Sequence, residues 1–455
     1  MLTYELKKQP GLPLYEALYR CIREDILTGR LEPDRKLPSK RALAQHLEVS
    51  NITVEAAYDQ LLAEGYIRSQ ERVGYFVEAV QRRIPTRTAT VPPEKQPQWE
   101  IDLTVNASTD FPFSVWSKLQ RQVMQDFPQE LLRPMPNQGL WELRSAIAAH
   151  LTDFRGMQVS PENILVGAGT DFLYNLLIQL LGRDKIYAVE EPGYEKIRMI
   201  YAAGGVQCVS APMDSMGVIP EALMQAQILH ISPSHHFPTG IVTPRERRSA
   251  LLRWAYEQSD RYIIEDDYDS EFRFSAHPMP TMESMDTAGR VIYMNTFSKT
   301  LAPSIRISYM VLPSKLMEQF QKTLGFYSCT VPSFEQYTLT RFLREGHFEK
   351  HLNRMRRTYK FRRNALVEAL ENSPYAKQMK ILEQDAGLHF LVKVETSMKE
   401  KELVEKCAAA GVKIRTLSSY YHDALSYEIE NCFVVNYSGM HPEQIEKLAC
   451  KLGRL

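Results

Sequence analysis

Apolar positions Leu14, Leu18, Ile22 and Ile26 recur at helical spacing and predict a first amphipathic helix. Ser39, after Pro38, is placed to cap a second helix over residues 40–47, with Ala42, Leu43, Ala44 and Leu47 on its apolar side. Glu48 and Val49 turn the chain. Ser50 then caps a third helix that runs through Val54, Ala57, Tyr58 and Leu61 and stops at Gly65. Two helices joined by so tight a turn form a helix-turn-helix, whose second helix offers its N-terminal residues to a DNA major groove. The β-rich runs 66–68 and 74–77 flank residues 69–73 and predict a hairpin wing with Arg72 near its tip.

The pattern then changes. Residues 79–100 carry four prolines, few apolar residues and no periodicity, the signature of a linker. From Ile101 onward amphipathic helices alternate with short β-rich runs at 163–167, 186–190, 227–231, 261–265 and 291–295. Strands spaced by helices predict an α/β sandwich around a mainly parallel sheet. The apolar run 171–181 is too short to span a bilayer, and the N-terminus has no basic-then-apolar leader pattern, so a cytoplasmic protein with no membrane partner is expected.

Length and charge refine this only slightly. A chain of 455 residues implies two or three domains, and 44% hydrophobic content implies a substantial core. Lys+Arg and Asp+Glu both total 55, so overall charge points to neither nucleic acid nor membrane. Residues 1–83 hold 13 basic and 12 acidic side chains, a net of +1, so any DNA binding has to rest on where the basic residues sit and on pairing two heads. The six cysteines are scattered with no CxxC pair and read as free thiols in a reducing compartment.

Chemistry concentrates in the second zone. Lys299 lies among small hydroxyls in Asn295-Thr296-Phe297-Ser298-Lys299-Thr300, with Arg306 seven residues on. A desolvated lysine amine can bond covalently to a carbonyl, and pyridoxal 5'-phosphate (PLP) is a cofactor whose phosphate suits hydroxyls and an arginine. Upstream, Gly167-Ala168-Gly169-Thr170 turns from a strand into a helix, where backbone N–H groups favour an anion. Tyr194 follows a tight Glu-Glu-Pro-Gly turn and could stack on a flat ring. Glu265-Asp266-Asp267-Tyr268 ends a strand, the edge at which α/β sheets form ligand crevices. Such an acid cluster could instead bind Mg²⁺, but no Walker-type loop accompanies it, and no metal is expected.

These residues carry a resemblance. Lys36-Leu37-Pro38-Ser39-Lys40-Arg41, Val49-Ser50, Thr53-Val54, Glu64-Gly65 and Gly74-Tyr75-Phe76-Val77 resemble the winged helix of GntR-type bacterial regulators. Glu191-Pro192-Gly193-Tyr194, Pro233-Ser234-His235-His236-Phe237-Pro238-Thr239-Gly240, Asp266-Asp267-Tyr268-Asp269-Ser270-Glu271-Phe272-Arg273 and Ser298-Lys299…Arg306 resemble fold-type I aminotransferases. Fused in this order, the chain resembles the MocR subfamily. The resemblance implies an α+β winged helix-turn-helix at 1–78, a linker at 79–100, and an α/β fold-type I PLP-binding effector domain at 101–455. A smaller C-terminal α+β subdomain is expected from about 330.

Residue by residue, the resemblance makes Lys299 the Schiff-base lysine. Asp266 becomes the partner of the pyridine nitrogen, Tyr268 the donor to the ring hydroxyl oxygen, and Tyr194 the stacking group. Gly169, Thr170, Thr296, Arg306 and Ser298 become the phosphate cup. Ser39, Arg41, Ser50, Thr53 and Arg72 become DNA contacts. Asn51 stands with Ile52 where the family usually has arginine; Asn can still read adenine. In the body, the asparagine many such enzymes place before Pro-Thr-Gly is replaced by Phe237 or, with a one-residue shift, His236. The late strand 432–438 lacks the usual arginine for a substrate carboxylate, for which Arg415 and Lys196 are nominated instead. The implied protein is a head-to-tail homodimer that binds double-stranded promoter DNA and senses PLP, or an amine or amino acid, through an aldimine at Lys299. The alternative is a working aminotransferase.

Overall fold

The computed structural model describes residues 2–4, 6, 13–71, 73–80, 99–105, 110–274, 279–374, 376–383, 387–423 and 431–452. The chain divides into two compact units, residues 1–96 and 97–455. Most of the expected linker, residues 81–98, and Arg72 lie outside the described residues.

In the first unit the serine caps form as their sequence positions require. Ser39 Oγ accepts from the Ala42 N–H at 3.2 Å and starts the helix Lys40–His46. Ser50 Oγ accepts from the Thr53 N–H at 3.1 Å and starts Asn51–Ala63. Each cap satisfies a helix-end donor that would otherwise lack a partner. With the first helix, Leu14–Leu27, these helices bury Leu18, Ile22, Leu43, Val54 and Leu61 in one core. Tyr58 from the third helix reaches back to donate to the Pro38 carbonyl at 3.0 Å, tying the start of the second helix to the third. The wing is the antiparallel pair Ile67–Gln70 and Gly74–Val77, with Ile67 opposite Val77.

The second unit is built on an eight-stranded sheet. In spatial order the strands are Ile164–Gly167, Ser308–Val311, Val291–Thr296, Tyr262–Asp266, Ile228–Ile231, Ile186–Glu191, Gln207–Asp214 and Gly217–Val218. The five from Val291–Thr296 to Gln207–Asp214 pair in parallel. Ser308–Val311 runs antiparallel to both neighbours, and Gly217–Val218 is an antiparallel edge. The central strands are buried on both faces and mostly apolar, with polar residues such as Glu265, Asp266, Asn295 and Thr296 toward their C-terminal ends. The helix Thr170–Leu181 packs one face of the sheet through Leu173, Leu177 and Leu181, while Arg245–Tyr256 contributes Leu251 and Trp254 to a separate core.

The 25-residue helix His347–Glu371 leads into a three-stranded antiparallel sheet of Met379–Leu382, His389–Val394 and Cys432–Asn436. The short strand Ile101–Asp102 pairs with Val412–Lys413, so the start of this unit joins its end. The parallel strands all stop at one edge of the large sheet, with Glu191, Ile231, Asp266 and Thr296 at their C-terminal ends.

Candidate functional site

At that edge lies a cavity of about 320 Å³. Every cofactor residue expected from the sequence lines it except Gly169, which lies beneath Arg306. Lys299 sits in the one-turn helix Phe297–Thr300, just past the end of a central strand. Burial pulls its ammonium below the ordinary lysine range, while the nearby carboxylates of Asp269 and Asp266 act in the opposite direction. The result is an amine primed as a nucleophile yet held near counter-charge.

Asp266 ends the neighbouring strand. Its Oδ2 accepts a short hydrogen bond from the phenol of Tyr174, and His230 Nε2 lies 3.5 Å from the same oxygen. Burial and the Asp266 charge hold the Tyr174 phenol well above its ordinary value, so it stays a donor. The other Asp266 oxygen, Oδ1, is buried without a partner. A buried carboxylate oxygen in that condition needs a proton donor. A protonated pyridine nitrogen is one.

Tyr268 is likewise held protonated, by burial first and then by Asp269 and Asp266. Its hydroxyl lies 3.3 Å from His235 Nδ1, which in turn lies 2.9 Å from Asp269 Oδ2. A carboxylate can only accept, so the imidazole carries its proton on Nδ1 and the Tyr268 hydrogen is left for the cavity. The ring of His389 sits 4.5 Å from that of His235. Gly387, at φ +68°, packs so tightly that an added Cβ would fall 1.8 Å from the His235 ring. His235, Asp269 and His389 together bring their ligand atoms within 4.8 Å of one another, all buried, and the His235–Asp269 hydrogen bond uses two of these groups.

The Arg306 end of the cavity is equally specific. Gly169 has φ +89°, and a Cβ there would come within 2.1 Å of Arg306 Nη2, so only glycine allows the guanidinium to lie on this turn. Thr170 opens the helix Thr170–Leu181 beside it. Thr296 and Ser298 divide the work. The Thr296 hydroxyl accepts from the Ser298 N–H at 3.1 Å and from Ser308 Oγ at 2.8 Å, so it is spent on the local fold. Ser298 Oγ is buried with no partner. An open helix end, an arginine, a glycine cradle and an orphaned hydroxyl suit a phosphate ester, and Asp266 Oδ1 and Lys299 suit the rest of PLP.

Of Phe237 and His236, the two residues that could stand for the enzymes' asparagine, it is Phe237 that reaches the cavity. It meets Tyr194 edge-on at 5.9 Å between ring centres. His236 turns away and bonds Thr239 Oγ1 at 2.7 Å. The late strand contributes Asn436, whose Nδ2 donates to the Leu103 carbonyl at 2.7 Å and whose Oδ1 is buried without a partner. Of the two nominated cations only Lys196 lines the cavity. Arg415 pairs with Glu195 at 3.2 Å and stacks on Tyr420 at 4.3 Å, away from the cavity wall. Sequence reasoning missed Tyr174, His230, His235, Asp269, His389 and Asn436. His235 and Asp269 stood inside quoted motifs, but their pairing across 34 residues has no local signal.

On the headpiece, Asn51 and Ile52 are exposed at the start of the third helix, with Ile52 77% accessible. Arg41 is exposed nearby. Lys40, by contrast, is held by Glu55 at 2.9 Å and Asp59 at 3.4 Å. The Ser50 hydroxyl lies 2.8 Å from Thr53 Oγ1.

A winged helix-turn-helix and a fold-type I aminotransferase-like body define a class of hybrid regulator. Residues 14–77 match the bacterial regulatory proteins of the gntR family, and residues 100–452 match aminotransferase class I and II. The chain is 39% identical to the uncharacterized HTH-type transcriptional regulator YdeL of Bacillus subtilis, over 92% of its own length and 93% of the relative's. It is 31% identical to the probable rhizopine catabolism regulatory protein MocR of Rhizobium meliloti, covering 97% and 93% of the two chains. The body superposes on the kynurenine aminotransferase of Pyrococcus horikoshii with a TM-score of 0.68 at 25% identity, over 79% of this chain and 91% of that one. The chain belongs to the MocR subfamily of GntR-type transcriptional regulators. Its fold implies PLP as cofactor. No helix among the described residues is long and apolar enough to cross a membrane.

Proposed function

We propose that this regulator binds promoter DNA through its headpiece, residues 1–78, and senses PLP, or an amine or amino acid, in the Lys299 pocket of the body, residues 101–455. The observation that carries the reading is the pairing of two orphaned polar atoms, Asp266 Oδ1 and Ser298 Oγ, with an amine made nucleophilic by burial in the same cavity. Bound there, PLP supplies an aldehyde that captures primary amines. Lys299 would anchor it, and Asp266 would hold a proton on its ring nitrogen. Tyr268 would donate to the ring hydroxyl oxygen, Tyr194 would cover the ring, and Gly169, Thr170, Ser298 and Arg306 would hold the phosphate. Lys196 is the cavity cation suited to an effector carboxylate.

On the DNA side Ser39, Arg41, Ser50 and Thr53 suit phosphates. Asn51 and the exposed Ile52 suit base edges, the isoleucine by contact with a thymine methyl. Paired half-sites call for a homodimer. A ligand can shift the DNA-binding arrangement only by its differential affinity for the two states. Regulation is favoured over metabolic turnover because the late strand presents Asn436, not a cation, to the cavity.

An absorbance titration with PLP, run alongside fluorescence anisotropy on promoter DNA, tests the reading. Purified protein should gain a visible band that Lys299→Ala abolishes, and PLP or the matching amine should change DNA affinity. Rapid, sustained turnover of amino and keto acids with no change in DNA affinity would favour the aminotransferase alternative instead.

A further inference from the structure

The phosphate end of the pocket already holds an anion, and the chain itself supplies it. Asp171, in the first turn of the helix Thr170–Leu181, presents Oδ2 to Lys196 Nζ at 2.6 Å and to Arg306 Nη2 at 3.4 Å. All three side chains line the cavity. An acidic residue in the first turn of a helix is ordinarily accounted for by the helix dipole. That account leaves unexplained why this one carboxylate oxygen also takes up two cations of the pocket. A phosphate ester entering here needs Arg306 and the same helix end, so it competes with Asp171 for Arg306 and meets a like charge beside it.

The pairing is built to exchange. The side chains of Asp171, Lys196 and Arg306 are 36%, 47% and 48% exposed, so the ion pairs are screened and weak, and the carboxylate can swing toward solvent. The Arg155–Asp267 pair in the same unit, with side chains 1% and 0% exposed, has no such freedom.

We propose that Asp171 is a specificity-determining residue that acts as an internal competitor for the ligand's phosphate. It keeps the pocket's affinity for phosphorylated ligands low, so that occupancy follows supply instead of remaining saturated. This rests on the reading of the cavity as a PLP site and deepens it: the phosphate ester itself becomes a graded signal. When the phosphate claims Arg306, Asp171 retains Lys196, and the charge of that lysine toward an effector carboxylate is tempered by the same residue.

The test is a set of binding titrations on the full chain by absorbance and by quenching of intrinsic fluorescence, with PLP, with pyridoxal lacking the phosphate, and with inorganic phosphate as competitor. Two like charges about 4 Å apart repel by about fivefold in affinity in bulk water and by more where solvent is partly excluded, so about tenfold is expected for these half-exposed groups. Asp171→Asn should therefore tighten PLP about tenfold and make inorganic phosphate a better competitor. Pyridoxal should bind as it does to wild type, and the ligand-free unfolding midpoint should stay near the wild-type value. Asp171→Glu, which restores the charge, should return PLP affinity toward wild type. Unchanged or weaker PLP binding by Asp171→Asn overturns the inference, as does an equal gain for pyridoxal. If wild type binds PLP at no concentration, the reading of the pocket fails and the inference with it. Binding by wild type without the gain in Asp171→Asn removes the inference alone.

Discussion

Adjacent carboxylates on one strand end do opposite work. Asp267 accepts from Tyr293 at 2.7 Å and Ser270 at 2.9 Å and pairs with Arg155 at 3.0 Å. Glu265, two residues back on the same side of the strand, accepts the Met282 and Glu283 N–H groups and lies 3.6 Å from Arg248. Those arginines reach on to Ser234 and to the Pro233, Thr243 and Pro280 carbonyls. They tie the loop bearing His235 and Phe237 to the sheet. Asp266, on the alternate side, faces the cavity with one oxygen bonded and the other waiting. The lesson is that charge type and burial do not separate structural from functional acids here. What separates them is where each lies and what holds it: Glu265 and Asp267 sit against buried arginines, whereas Asp266 lines the cavity.

The comparison breaks most visibly at Asp267. Removing one member of a fully buried ion pair leaves its partner's charge unsolvated, at a cost of about 3–5 kcal/mol. Asp267→Ala should therefore lower stability by that amount in chemical unfolding. If it costs less than about 1 kcal/mol, in the range of an exposed pair, the structural assignment of Asp267 is wrong.

Glu271 tests the same cluster through pH. Burial, and then the Asp267 charge, push its carboxyl from the ordinary 4.5 up to about 7. The folded state thus binds the proton more tightly than the unfolded chain. Stability is highest at the acid end of this window, falls as pH rises from about 4.5 to about 7, and stays reduced above it. Glu271→Gln should remove that slope and gain up to about 3 kcal/mol at pH 8, with little change near pH 4.5. Parallel stability curves for the two proteins across this range would contradict the shift.

Asp266→Asn carries the other half of the comparison. It keeps the shape and can still pair with Tyr174, so the unfolding midpoint should move little. Loss of a charge-assisted hydrogen bond to the ring nitrogen should weaken PLP by about 10- to 100-fold. A large stability loss with unchanged PLP affinity would put Asp266 in the same class as Asp267.

How much of this could be read from the sequence follows the same division. The headpiece was legible because its determinants are local: Ser39 and Ser50 cap within three residues, and the wing strands flank a short turn. The strands that end at Asp266 and just before Lys299 were legible from their apolar runs, and the pocket residues from motif order. Ser308–Val311 was not, because a four-residue antiparallel strand inside a parallel sheet follows the Arg306 loop without any periodicity of its own. Neither were the contacts that complete the site. Tyr174 looks like one more apolar-face residue of its helix until the sheet brings Asp266 to it, 92 positions away. Thr296 was expected to hold phosphate, yet its hydroxyl is engaged by Ser298 and Ser308, a competition invisible until the strand and turn are folded.

The contrast between a polar atom used by the fold and one left open to the cavity recurs at its smallest scale here. Thr296 and Ser298 are hydroxyls two residues apart, one fully bonded within the protein and one buried without a partner. Thr296→Val leaves the Ser298 N–H and the Ser308 hydroxyl without their acceptor and should cost about 1–3 kcal/mol of stability. Ser298→Ala removes a polar atom for which the fold has no use, so stability should hold or rise slightly. Its cost should appear only as a several-fold weaker hold on PLP, the worth of one hydrogen bond to a charged group. Measured side by side by unfolding and by PLP titration, the two variants should fall on different axes. If both move only stability, Ser298 is a packing residue, and the reading of orphaned atoms on the cavity wall as ligand partners, which assigns Asp266, loses its second support.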